Sequence, residues 1–441
     1  MEKYDKASIE SIFHFAQMLT GKSLDEVVTL PASIVNSRNK GDLGGLLEAH
    51  FFELPPNNQG IDFPEAKLEL KTTGVIQNSE GSHKAKERLV LTMINYMNIV
   101  DEEWESSVFF LKCRLMLIMF YLYEKSIPSI HLKFVLNPML FRIEDHDEDI
   151  LKKDWEFIRE KVKQGRAHEI SEGDTYYLGA CRKGPGGVDE PLRPQPFSGI
   201  GAKSRAFSFK PSYVNSLIMS HQSDVSRVLL SESDSFEKAT AARFQPFVGL
   251  SIDEISQKLT YFRNSPQQKG FVRELSVRIL ANGENSVPEL TKAGIEMKIV
   301  RLNKFGKPKE AMSFPGFRYL EIVDEAWEES SFFKKLESRF LFIVFRADSF
   351  GVERLQGATY WNMPYGDRLE AQRVWEETKR RVLIDASDLP KASESTVAHV
   401  RPKAKNSSDT IPTPQGTMLV KKCFWLNASY IGQVLEPLVK G

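Results

Sequence analysis

Asp62-Phe-Pro-Glu-Ala-Lys-Leu-Glu69-Leu-Lys71 alternates charged and apolar residues over its second half. Two-residue periodicity predicts a strand over Lys67–Thr73, with Lys67, Glu69 and Lys71 on one face and Leu68 and Leu70 on the buried face. Asp62, just before the strand, can turn back so that two carboxylates meet. Two hard oxygen ligands suit Mg²⁺, which keeps waters for a substrate phosphate. Such an ion activates water against a phosphodiester. Lys71 would hold that water and offset developing negative charge.

Working outward, the chain is written twice. Asn98-Ile-Val-Asp-Glu-Glu-Trp-Glu-Ser-Ser-Val-Phe-Phe recurs as Glu321-Ile-Val-Asp-Glu-Ala-Trp-Glu-Glu-Ser-Ser-Phe-Phe. Lys40-Gly41 matches Lys269-Gly270, Leu68–Lys71 matches Ile295–Lys298, and Phe207 and Tyr213 match Phe424 and Tyr430. The offset drifts from 229 to 217 residues while the order holds, which predicts a duplicated domain rather than a short solenoid repeat. Ser220–Lys238 is rich in Ser, Asp and Glu, so the join is expected near residue 225, giving domains 1–225 and 226–441. Helical spacing at Ala7–Leu19, Leu43–Phe52 and Asp149–Gln164, with strands at Leu89–Tyr96 and Arg114–Tyr123, makes each copy mixed α/β.

The bulk numbers exclude more than they assert. The 441 residues are 41% hydrophobic and 27% charged, which is ordinary for a globular protein. Net charge is zero, so any basic surface must come from local clustering. Three scattered cysteines form no CxxC pair, and the eight histidines form no HxxxH pair. Disulfide frameworks and zinc hydrolase sites are therefore not expected. Gly184–Gly187 and Gly199–Gly201 lack the lysine of a phosphate-binding P-loop. The longest apolar run, Leu115–Tyr123, is too short for a bilayer, and no secretory signal is visible. A cytoplasmic protein without a membrane partner is the expectation.

Lys40-Gly-Asp-Leu-Gly-Gly-Leu-Leu-Glu48, Asp62-Phe and Glu69-Leu-Lys71 together resemble the MutH family of DNA endonucleases. The likeness continues through Trp104-Glu-Ser-Ser, Lys112, Asp154-Trp-Glu and Gly165–Ile170 to Arg205-Ala-Phe-Ser, covering nearly all of the first copy. The double length is similar to type II restriction enzymes that cut GATC with two MutH-like domains. Lys86–Tyr96 strengthens that likeness. The resemblance implies tandem PD-(D/E)xK folds. It also implies Asp62, Glu69 and Glu48 as Mg²⁺ ligands, Lys71 as catalytic lysine and Lys112 beside the scissile phosphate.

The second copy keeps Glu296, Lys298 and Lys335, but Val277 falls opposite Glu48 and Glu289 opposite Asp62. It is expected to bind metal weakly or not at all and to cut nothing. His399-Val-Arg-Pro-Lys-Ala-Lys resembles the family's Arg-Pro-Lys DNA-reading segment, opposite Cys181-Arg182-Lys183 in the first copy. Arg182 and Arg401 are expected to read bases, and Lys183, Lys203, Arg205, Lys403 and Lys405 to hold phosphates of double-stranded DNA. By resemblance, the second domain binds another recognition site as an allosteric effector. With one catalytic centre per chain, two chains must meet on DNA for a double-strand break. Two other readings stay open: a mismatch-repair enzyme nicking one strand at GATC, and a DNA-binding regulator without activity.

Overall fold

The computed structural model describes residues 3–31, 34, 43–55, 60–143, 145–184, 190–222, 235–262 and 270–440. The Lys40–Lys269 match, the expected join near residue 225 and the glycines at 186 and 187 lie outside the described residues. The chain divides into two compact units. One comprises residues 1–184, 191–226 and the short piece 292–294; the other comprises 185–190, 227–291 and 295–441. Among the described residues no helix is long and apolar enough to cross a membrane.

In the first unit, β1 (Glu69–Gln77), β2 (His83–Ala85), β4 (Leu115–Leu122) and β5 (Met139–Arg142) form a sheet in the order β2-β1-β4-β5. A second sheet takes β3 (Leu89–Met93), β6 (Leu178–Arg182) and β7 (Arg205–Phe209) in the order β3-β7-β6, all antiparallel. The β1–β4 pair is parallel, with Glu69 opposite Met116 and Lys71 opposite Ile118. A parallel pair needs cover on both faces, and Leu115–Phe120 is accordingly one continuous buried run.

The second unit repeats this plan. β8 (Glu296–Leu302) runs parallel to β10 (Phe340–Ala347), which pairs antiparallel with β11 (Glu353–Trp361). β9 (Met312–Gly316), β12 (Ala398–Pro402) and β15 (Lys422–Leu426) form the order β12-β15-β9, and β13 (Thr410–Pro412) pairs with β14 (Met418–Val420). β10 is again a run of buried apolar residues. The repeated Trp motif builds the same lock in each unit. Ser107 and Ser330 each donate to the tryptophan carbonyl three residues back and cap the helix that follows, Val108–Cys113 or Ser331–Leu336. Trp104 packs on Trp155 at 5.8 Å between ring centres, and Trp327 on Trp375 at 5.6 Å.

Three boundaries differ from the sequence reading. The strand begins at Glu69 rather than Lys67, whose φ of 50° places it in the preceding turn. Leu89–Tyr96 splits, because the Asn95 side chain accepts from two backbone N–H groups and caps a helix over Tyr96–Ile99. The helix Leu43–Leu46 continues as a π-turn over Leu47–Phe51, which carries Glu48. The helix Asp145–Lys163 does stop before Gly165, at φ 68°, where a β-carbon would lie 2.7 Å from the Phe197 carbonyl.

Leu70 is 2% exposed and joins Leu47, Phe51, Phe63 and Leu117 in the first unit's core. It pins β1 so that Glu69 and Lys71 face the other way. Leu70→Ala should destabilise this unit by about 3 kcal/mol through lost transfer energy and a residual cavity. Leu70→Met should cost less than about 1.5 kcal/mol. Urea unfolding of the two variants beside the parent measures both.

Candidate active site

The turn before β1 assembles the site. Phe63 and Leu68 exchange two backbone hydrogen bonds of 3.0 and 3.1 Å, and the Lys67 N–H closes the turn on the Pro64 carbonyl at 3.3 Å. Both pairing residues are essentially fully buried, so the turn is bolted to the core. Asp62 and Glu69 are thereby brought side by side. The Leu70 N–H donates to Asp62 Oδ2 at 2.8 Å, and the Asp62 N–H donates to Glu69 Oε2 at 3.3 Å.

Glu69 is only 3% exposed. A carboxylate that deep needs charged or hydrogen-bonded partners. Lys71 donates to Glu69 Oε1 at 2.6 Å, and Lys112 approaches the same oxygen at 3.9 Å. Lys112 sits in the last turn of the helix Val108–Cys113, where a cation also suits the helix dipole. Burial alone would disfavour the Lys71 ammonium, but the Glu69 charge outweighs it and holds the lysine above its ordinary value. Lys71 therefore stays protonated and can donate but not accept a proton. Burial raises Asp62 to about 6, helped by the charges of Glu69 and Glu48. Cys113 lies beneath, fully buried, with burial pushing its thiol to about 12, so it offers no thiolate.

Hard carboxylate oxygens under strain from their own charge fit a divalent cation, and Asp62 and Glu69 are the residues that would hold it. Glu48, the third residue of the expected trio, lies on the neighbouring helical turn Leu47–Phe51. Among the described residues no three His, Cys, Asp or Glu side chains are placed to hold an ion together. Glu48 acts on Asp62 through its charge from the neighbouring helix.

The expected DNA-binding residues divide. Arg182 is half-buried at the end of β6, opposite Arg205 in the ladder. Lys183 and Lys203 are half-buried in the same region, where Tyr96 donates to the Lys203 carbonyl at 2.6 Å. Arg205 is not a surface phosphate contact. It is 6% exposed, and its guanidinium donates to the carbonyls of Ala180 and Ile170, both at 2.5 Å. Arg401 is exposed and lies over the Trp425 ring at 4.7 Å. Lys403 is exposed along its length but its ammonium donates to the Phe314 carbonyl at 2.7 Å. Lys405 is exposed.

Sequence reasoning missed Trp425 and the cations Arg273, Arg301 and Lys309, which line cavities in the second unit. A signal existed for two of them: Lys298, Arg301, Lys304, Lys307 and Lys309 form a basic run.

A buried and a half-buried carboxylate with two lysines at the head of a parallel strand form a centre suited to phosphodiester chemistry. A family profile described as the DNA mismatch repair enzyme MutH matches residues 52–154 and 280–365, one segment in each unit. The type II restriction enzyme Sau3AI of Staphylococcus aureus is 30% identical over 500 aligned positions covering 100% of both chains. The DNA mismatch repair protein MutH of Vibrio campbellii is 26% identical over 184 residues, covering 40% of this chain and 79% of its own. That of Serratia proteamaculans is 25% identical over 219 residues, covering 48% and 92%. The chain belongs to the MutH-like restriction endonucleases, and it is a DNA endonuclease.

Two stability tests follow from this geometry. Arg205→Ala should cost about 2–4 kcal/mol in urea unfolding, because two buried carbonyls lose their donors. Asp62→Asn should stabilise the metal-free protein on the order of 1 kcal/mol at pH 7. A carboxyl raised from 3.8 to about 6 costs stability when ionised. The cost is full above about pH 6 and vanishes as pH falls towards 3.8, so the gain should be gone near pH 4 in the same unfolding assay.

Proposed function

We propose that this chain hydrolyses phosphodiesters of double-stranded DNA at a short specific site, GATC, with Mg²⁺. The observation that carries the reading is the pairing of half-buried Asp62 with buried Glu69, with Lys71 fixed on Glu69 Oε1. Bound by the two carboxylates, Mg²⁺ would supply Lewis-acid activation of water and neutralise phosphate charge. Lys71, kept protonated by Glu69, orients the attacking water and donates to the phosphate oxygen on which charge grows. Lys112 adds a second cation on the same side. Glu48 holds negative potential beside Asp62 and so favours a bound cation over an empty site.

The two-domain reading goes with it. Residues 1–225 form the catalytic PD-(D/E)xK domain, and 226–441 form a silent copy that binds a second site as effector. Repetition of the parallel pair and of the three-stranded antiparallel sheet supports this. Arg182 and Arg401 read bases, while Lys183, Lys203 and Lys405 hold the backbone. Two chains meet on DNA to cut both strands.

Cleavage of matched plasmids with no, one or two GATC sites tests the whole reading. Cutting should require GATC and Mg²⁺, stop in EDTA, and run faster with two sites than with one. Glu69→Ala and Lys71→Ala should each slow it by about a hundredfold or more. Equal rates on one and two sites would remove the effector role and leave the nuclease. Nicking that never becomes a double-strand break would favour the mismatch-repair type. Tight binding with no cutting would leave a regulator.

A further inference from the structure

We infer that the second unit grips the DNA phosphate backbone with protein cations alone, Lys298 and Lys335 together covering the carboxylate whose counterpart in the first unit would help hold an ion. The inference rests on the effector reading above.

Glu296 opens β8 as Glu69 opens β1, each at the head of a parallel pair. Their neighbours differ. In the first unit both lysines lie on Glu69 Oε1, and Oε2 is turned towards Asp62. In the second unit Lys335 bonds directly to Glu296 Oε1, while Lys298 stands 3.6 Å from Oε2. Both oxygens of Glu296 thus face an ammonium group, and an ion would have to displace one of them. The helix Phe271–Leu280 carries Val277 where the first copy has Glu48, and its one carboxylate, Glu274, accepts from the Tyr261 hydroxyl at 2.8 Å. Glu289 is buried on its own short helix. The residues present do not fit a divalent ion.

They fit an anion instead. A cavity of about 610 Å³ is lined by Arg273, Lys298, Arg301 and Lys309, with Glu310 the carboxylate on its wall. Glu353 holds Arg301 at 3.2 Å and Lys309 at 2.8 Å, which fixes both side chains while offsetting part of their charge. An adjoining cavity of about 660 Å³ shares Lys309 and Glu310 and adds Arg401 on Trp425. Cations fixed in a continuous groove suit the repeating charge of a phosphodiester strand, whatever its sequence. An ion-dependent grip would also tie effector binding to the cutting cofactor. This one separates them, so the second site can be occupied before the metal arrives.

The test uses the full chain carrying Asp62→Ala and Glu69→Ala, a labelled GATC duplex and Mn²⁺ as the metal probe. Electron paramagnetic resonance should show no Mn²⁺ bound by this variant. Native mass spectrometry in EDTA should show two duplexes per chain. Adding Arg273→Gln and Lys309→Gln should weaken the second duplex at least tenfold and reduce its salt slope by about 2. Arg273→Lys with Lys309→Arg should restore binding, which a merely misfolded unit would not. Mn²⁺ that still binds and is lost on Glu296→Ala would overturn the inference. So would a second duplex that binds only with Mg²⁺ or Ca²⁺, which would leave the effector reading intact. A chain that takes no second duplex under any condition would overturn the effector reading itself.

Discussion

Burying Glu69 is the constraint on which the first unit turns. An isolated carboxylate at that depth is unfavourable by several kcal/mol, and the fold meets the problem from three directions. Lys71 comes from the same strand, two residues on, where the pleat puts it on the same face. Lys112 comes from a helix capped by Ser107. The Asp62 N–H comes from the turn bolted down by Phe63 and Leu68. Each group would be ordinary elsewhere. Around one buried carboxylate they force a turn, a strand and a helix end into fixed relation.

The second carboxylate then makes the arrangement functional rather than merely stable. Asp62 lies against Glu69 without a lysine of its own, and its proton is held up to about 6. Local destabilisation of this kind persists only where surrounding packing enforces it, and it commonly marks sites that await a charged ligand. The second unit shows the relaxed alternative. There the lysines cover both oxygens of Glu296, and nothing in that pattern awaits a cation.

Much of this was legible in the sequence, for reasons that differ by element. The strand at Leu115–Leu122 and the Trp104 and Trp327 motifs were readable because burial on both faces and helix capping leave strong local patterns. Asp62, Glu69 and Lys71 could be grouped because they lie within ten residues and the strand period fixes two of them. Arg205 could not be placed. Its burial depends on the Ile170 carbonyl, 35 residues away in the chain, and a surface arginine and a buried clamp look alike in sequence. The strand start at Glu69 was missed because alternation continues through Lys67, whereas the turn needs that residue in a left-handed conformation. Arg273 was hidden for a similar reason, since only folding brings it beside Lys298 and Arg301.

The two units keep one frame while their charges differ. The parallel pair, the capped helix and the paired tryptophans are common to both, because each is required to bury the same kinds of surface. Charge is freer. The second unit has Val277 where the first has Glu48, and Lys335 stands closer to Glu296 than Lys112 does to Glu69. Neither change disturbs the core around Phe342 and Val344. Packing thus holds the frame constant in both units while the charges around Glu69 and Glu296 differ.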